Sequence, residues 1–388
     1  MSTASLLELY RPDAALFLAT PRHTLLAAGA RSRLQIEGGA GQWQALAGRA
    51  RALLGEQARE FGAARAVLVG ALPFDERLPA RLVVPETLHW SGPLGGVALP
   101  APSAQALGTG ALRELPSGAE YVAAVEQALA QIRAGELRKV VLARALEMQT
   151  EAAPDVAALL ANLVRRNQGA YAFAAQVGEQ NQPRTLIGAS PELLVSRRGR
   201  AVLANPLAGS APRNADPELD RRAGAALLAS AKDRREHAFV VEAVAASLRP
   251  FCSEISVPAE PVLMQTATMW HLSTELRGQL RDSATSALEL ATALHPTPAI
   301  CGTPTAPALA AIRALEGFER GYYAGLVGWS DASGDGEWIV TIRCAEVAQR
   351  QIRLYAGAGI VDGSQAQAEL DETSAKFRTV LTALGIAP

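Results

Sequence analysis

Tyr322-Tyr323-Ala324-Gly325-Leu326-Val327-Gly328-Trp329-Ser330, then Glu337-Trp338-Ile339-Val340-Thr341-Ile342-Arg343-Cys344-Ala345-Glu346-Val347-Ala348, then Gln351-Ile352-Arg353-Leu354-Tyr355-Ala356-Gly357 are three apolar runs separated by short polar breaks. The first break, Asp331-Ala332-Ser333-Gly334-Asp335-Gly336, consists of turn formers, and strands joined this tightly pair by folding back on one another. The three runs are therefore expected to form an antiparallel meander. In the middle run Trp338, Val340, Ile342 and Cys344 would share one face, and Thr341 and Arg343 the other.

The same pattern extends outward. A final helix is expected from Ser364, with Gln367 completing a capping box, to Gly385. Upstream, Tyr171–Val177 with Arg184–Gly188, and Glu192–Arg197 with Ala201–Ala204, read as strand pairs, while Arg138–Met148 is one long strand. Helices come in separate blocks: Gln42–Phe61, a stretch from the Ser117/Glu120 capping box to Ala134, Asp155–Asn167, and a region from Pro217 onward. Short β-like runs (Thr24–Ala28, Ser32–Glu37, Ala64–Leu72, Ala80–Val84) occupy the first hundred residues, and Gly92 to Gly110 reads as a loop or linker. Strands in hairpins and helices in blocks give an α+β fold with antiparallel sheets, not a doubly wound parallel sheet.

Composition narrows the function. The 388 residues are 49% hydrophobic and 19% charged with a net charge of −1, so neither nucleic acid nor an anionic membrane surface is an expected partner. Three scattered cysteines (Cys252, Cys301, Cys344) fit small buried roles in a reducing cytoplasm better than disulfides or a zinc site. The first residues carry Glu8, Arg11 and Asp13 and do not read as a signal peptide, and no run reaches the roughly 20 apolar residues of a membrane span.

Two acidic helices stand out. In Lys232-Asp233-Arg234-Arg235-Glu236-His237, Glu236 precedes Val240 and Val244 by four and eight residues and so lies on the apolar stripe. A carboxylate facing a packed interior is costly unless compensated; the plainer account is an acidic first turn that favours the helix dipole. In the last helix Leu370, Phe377, Leu381 and Leu384 form the core stripe, and Glu369, Glu372 and Lys376 line a second face. Brought together, Glu236, Glu369 and Glu372 would be an oxygen-only site suited to Mg²⁺; apart, Glu372 and Lys376 are an ordinary surface pair.

Lys139 opens the apolar strand Val140-Val141-Leu142-Ala143, where desolvation would lower its pKa toward general-base use unless its stem reaches water. Glu192, after Ser190-Pro191, is either a general acid or a turn carboxylate. Gly357-Ala358-Gly359 with Gly363 resembles a dinucleotide loop, but no strand or acidic partner follows at the required distance. Those glycines instead offer backbone N–H groups to a carboxylate, or simple turn geometry. His295-Pro296-Thr297-Pro298-Ala299-Ile300-Cys301-Gly302-Thr303-Pro304 reads as a rigid wall.

Eight ordered segments resemble the chorismate-utilising enzymes, the family of isochorismate, anthranilate, aminodeoxychorismate and salicylate synthases, with a fold like anthranilate synthase component I. They are Lys139 to Arg144, Gly188 to Glu192, Pro206 to Ser210, Lys232 to His237, His295 to Pro304, Thr341 to Ala345, Tyr355 to Val361 and Glu369 to Glu372. Gly70 to Asp75 is a weaker echo. The resemblance implies large antiparallel sheets packed together and flanked by helices, acting as one domain over 1–388, with a catalytic core at 115–385 and a variable part at 1–110.

The resemblance also implies roles. Water-adding members carry a lysine base at Lys139, where amine-adding relatives usually have glutamine, and relatives making anthranilate or salicylate place threonine where this chain has Ala299. The pattern therefore resembles an isochorismate synthase, of the siderophore type more than the menaquinone type. Lys139 is implied as base and Glu192 as acid. Arg343, Gly357, Gly359, Lys376, Ala299, His271, Gly209 and Ser210 are implied in binding chorismate, and Glu236, Glu372 and Glu369 in holding Mg²⁺. A monomer without an amidotransferase subunit is expected. The alternatives are a salicylate synthase, which Ala299 argues against, an amine-adding synthase, and an inactive chorismate-binding homologue.

Overall fold

The computed structural model describes residues 3–39, 41–93, 109–167, 169–179 and 181–386. Most of the expected loop between Gly92 and Gly110, residues 94–108, lies outside them. Two large antiparallel sheets dominate the fold. A ten-stranded sheet runs Gly302–Thr303, Lys139–Thr150, Gln351–Val361, Cys344–Ala348, Thr185–Ser190, Tyr171–Gln176, Leu16–Ala19, Thr24–Ala28, Thr87–Ser91, with Thr109–Leu115 also paired to Lys139–Thr150. A nine-stranded sheet runs Cys252–Ser256, Leu276–Leu280, Ala201–Asn205, Leu193–Arg198, Gly336–Val340, Leu326–Asp331, Val67–Leu72, Ala80–Val84, Ser32–Ile36. Leu207–Pro212, Met269–Ser273 and Val262–Gln265 form a small third sheet.

Alternation along the strands explains the layering. Leu16, Leu18, Phe173 and Ala175 join the core shared by both large sheets. Their neighbours Phe17, Ala19, Ala172 and Ala174 join a second core beneath the helices Thr3–Leu9, Val156–Arg166 and Ala366–Leu384. A sheet covered on both faces accepts continuous apolar runs, which is why Lys139–Thr150 is buried at every position but Gln149. The N-terminal strands pair with the rest: Leu16–Ala19 with Tyr171–Gln176, and Val67–Leu72 with Leu326–Asp331.

Two expectations need correction. The run from Glu337 to Ala348 is not one strand, and the three runs are not one meander. Gly336–Val340 belongs to the nine-stranded sheet and Cys344–Ala348 to the ten-stranded one. Between them Arg343 takes a left-handed φ of 51°, and the Thr341 N–H donates to the Gly325 carbonyl at 2.9 Å, outside the ladder. The alternation could not reveal the break, because both sheets bury both faces there. At the final helix, Ala366–Leu384, no Ser364/Gln367 capping box forms. The Ser364 hydroxyl accepts instead from the Val361 N–H at 3.2 Å, closing the turn through Gly363 (φ 87°), and Gln367 donates to Asp371. The expected helix end at Gly385 stands, with φ 78°. Cys252, Cys301 and Cys344 are free and buried. Among the described residues no helix is long and apolar enough to cross a membrane.

Candidate active site

The chain switches sheets twice at neighbouring points. Thr185–Ser190 of the ten-stranded sheet passes through Pro191 and Glu192 into Leu193–Arg198 of the nine-stranded one, and the bend at Thr341–Arg343 returns in the opposite sense. The bends are tied together: the Val340 N–H donates to the Glu192 carbonyl and the Ala189 N–H to the Arg343 carbonyl, both at 3.2 Å. Glu192 and Arg343 therefore enter one pocket, which is also lined by Val141, Ala299, Ile300, His271, Gly357 and Gly359.

Glu192 is 2% exposed, and burial pushes its pKa up to about 8. A hydrogen bond from the Leu207 backbone and the charges of Lys139 and Arg343 hold it from rising further. It is therefore mostly protonated near neutrality. Arg343 is half-buried, and desolvation lowers its pKa below the usual arginine value. Its guanidinium makes no hydrogen bond or ion pair to any described residue. A desolvated cation without a partner is costly, and an anion entering the pocket would offset that cost.

Lys139 is fully buried, and its Nζ stands 2.9 Å from Glu236 Oε1. Gly359 makes the space for this pair: a Cβ there would lie 2.2 Å from Glu236 Oε1 and 3.1 Å from Lys139 Cε. The Gly357 carbonyl accepts from Lys376 Nζ at 2.7 Å. Beyond Leu354 the edge of Gln351–Val361 that faces Cys344–Ala348 has no strand partner among the described residues, so both glycines expose that edge.

The three candidate metal ligands each meet a lysine. Besides Glu236–Lys139, Glu369 Oε1 lies 3.0 Å from Lys232 Nζ, and Glu372 Oε1 lies 2.6 Å from Lys376 Nζ and accepts from Ser210 Oγ at 2.9 Å. Burial raises the pKa of Glu369, with Lys232 opposing and Glu372 reinforcing. Burial works the same way on Glu372, but Lys376, Ser210 and Lys232 together outweigh it and the net shift is downward. Glu236 and Glu372 line the pocket, and Glu369 stands behind Lys232, which also lines it. Among the described residues no three His, Cys, Asp or Glu side chains stand in a ready metal cluster. The three expected carboxylates thus do not form one cluster; each is charge-balanced by its own lysine. As hard oxygen donors, these carboxylates fit a divalent cation such as Mg²⁺ in kind.

His271, opposite Ser210 in the small sheet, is buried with Nε2 unpartnered. Burial, then Arg343 and Lys376, depress its pKa to about 3, so it is a neutral imidazole. Gly209, at φ 74°, sits where the Leu207–Pro212 register slips, and a Cβ there would meet Asp233 at 3.0 Å.

Sequence reasoning assigned nothing to His237, Lys232 or Tyr323. His237 is buried, its Nε2 2.7 Å from Thr274 Oγ1, and burial followed by the Lys139 charge lowers its pKa to about 4. Its place next to Glu236 was the available signal. Tyr323 lines the pocket and stacks on Tyr355 at 4.9 Å. A larger cleft of about 820 Å³, lined by Trp43, Phe74 and Arg313 among others, contains none of the expected catalytic or metal residues. Its Arg313 and Arg51 are already paired with Asp75 and Glu289.

Residues 100–385 match the family described as chorismate binding enzyme. The chain is 51% identical over 384 residues to isochorismate synthase DhbC of Bacillus subtilis, covering 98% of this chain and 96% of that one. A Bacillus anthracis crystal structure described as a 2,3-dihydroxybenzoate-specific isochorismate synthase superposes with a TM-score of 0.92 at 45% identity, covering 99% of each chain. The menaquinone-specific isochorismate synthase MenF of Escherichia coli superposes with a TM-score of 0.84 at 25% identity, covering 99% of this chain and 91% of that one.

Proposed function

This chain belongs to the chorismate binding enzyme family, and from that membership we propose that it is an isochorismate synthase, converting chorismate to isochorismate as one catalytic unit. The observation that carries the reading is the unpartnered Arg343 guanidinium beside a protonated Glu192 and a buried Lys139. Chorismate carries two carboxylates, and a guanidinium without a protein partner is suited to bind one of them through two parallel hydrogen bonds. Lys139 takes a proton from water as its oxygen bonds to ring carbon 2. The double bond shifts, and the carbon 4 hydroxyl leaves as water with the proton of Glu192. Glu236, Glu372 and Glu369 would hold Mg²⁺, which when bound supplies positive charge for a substrate carboxylate. We further propose a cytoplasmic monomer without an amidotransferase subunit, serving a siderophore-type pathway.

Incubation with chorismate and Mg²⁺ followed by chromatography tests this. An isochorismate peak in equilibrium with chorismate is expected, without salicylate, anthranilate or pyruvate, and EDTA should abolish it until Mg²⁺ is restored. Salicylate with pyruvate would move the assignment to the lyase branch, and full turnover in metal-free buffer would remove the metal site.

A further inference from the structure

We infer that Glu316 and Arg320 are a positioning pair that fixes the Ala299–Ile300 wall of the pocket against the strand carrying Lys139. The inference rests on the pocket reading above. On one side, Lys139–Thr150 runs unbroken along Gln351–Val361. On the other side its ladder has a gap, because Gly302–Thr303 covers only Val140 and Lys139, and Thr109–Leu115 resumes at Ala145.

The Val141 N–H still donates to the Cys301 carbonyl at 2.7 Å, and the rest of the gap is filled by side chains. Glu316 Oε1 accepts from the Ala143 N–H at 2.8 Å, and Arg320 Nη2 donates to the Val141 carbonyl at 2.8 Å. Arg320 Nη1 donates to the Ile300 carbonyl at 2.7 Å, and its Nε to Glu316 Oε2 at 2.9 Å. Glu316 is 2% exposed and Arg320 4%, with the guanidinium 4.3 Å above the Phe74 ring. One ion pair thus behaves like a missing piece of strand. It satisfies two backbone groups of the Lys139 strand and clamps the carbonyl of Ile300, whose side of the pocket faces them. Stability alone is a weak reason for a buried ion pair, since apolar residues of similar volume often serve as well. A planar fork of donors opposite a carboxylate offers fixed angles to three backbone groups at once, which apolar side chains cannot.

The test is Arg320→Lys, which keeps the charge beside Glu316 but cannot reach both carbonyls, with Glu316→Gln as a second variant that keeps an acceptor for Ala143. Wild type runs alongside, and two readouts are taken. The first is amide hydrogen exchange, which does not depend on the reaction: exchange about tenfold faster confined to 139–144 and 297–303 is expected. The second is steady-state kinetics: a kcat loss of about tenfold or more with KM changed less than about threefold is expected for misplaced groups. Exchange unchanged, or faster everywhere alike, in whichever variant folds overturns the inference, as does a kcat within about twofold of wild type. If wild type makes no isochorismate while the exchange pattern holds, the proposed reaction falls and the positioning role stands.

Discussion

Glu192 can act as an acid only while it carries its proton, and burial moves that limit to a pKa of about 8. The sign follows directly: below about 8 the free enzyme holds the proton, above it the acid is spent. The pH profile of kcat/KM should therefore fall on its alkaline side through about 8, and a flat profile to pH 9.5 would remove Glu192 from the role. Glu192→Gln and Lys139→Ala should each lower turnover by ~10²–10⁴-fold with the fold intact, read by kcat beside a thermal melt. Gly359→Ala should be as damaging, on the order of 10²-fold, because its Cβ would collide with Glu236 and crowd Lys139. Arg343→Lys should raise KM about tenfold with a smaller change in kcat, since a point charge replaces a fork. Lys139 and Glu236 were legible in sequence, one as a lysine in an apolar strand, the other as a carboxylate on an apolar stripe. Arg320 was not, because apart from Glu316 its partners are backbone groups remote in the chain, and backbone partners leave no mark in residue identity.

At the scale of elements, helices whose ends are governed by neighbouring residues were the most legible. The Ser117 cap accepts from the Glu120 N–H, and the Glu120 carboxylate accepts in return from the Ser117 N–H at 2.9 Å, as the spacing foretold. Ser117→Ala should cost about 1 kcal/mol of stability and leave kcat unchanged; a larger loss in a denaturant titration would give Ser117 a role beyond capping. The bend at Arg343 was illegible for the opposite reason. Whether a strand continues or changes sheets depends on what lies beside it, here the hydrogen bond from Thr341 to Gly325. The Ser364 cap failed similarly, its hydroxyl being claimed by the end of the preceding strand.

Across the whole molecule, large antiparallel sheets packed together and flanked by helices were expected. What alternation could not supply was strand order, since pairing joins segments far apart, such as Leu16–Ala19 with Tyr171–Gln176. Global stability should carry the mark of Glu337, a buried carboxyl in the nine-stranded sheet whose pKa burial raises to about 7. The unfolded chain loses this proton near the ordinary 4.5 while the folded chain keeps it, so stability falls as pH rises from there to about 7 and levels above. Glu337→Gln should gain on the order of 1–3 kcal/mol at pH 8 and nothing at pH 4.5, measured by denaturant titration at both; an equal gain at both values would discard the linkage. The order of the site residues along the chain has one more consequence. Lys139 and Glu192 are synthesised before Glu369, Glu372 and Lys376, which lie on the helix Ala366–Leu384. A nascent chain that has not yet reached this helix would therefore lack two of the carboxylates proposed to hold Mg²⁺, so the proposed reaction must wait for that helix to dock.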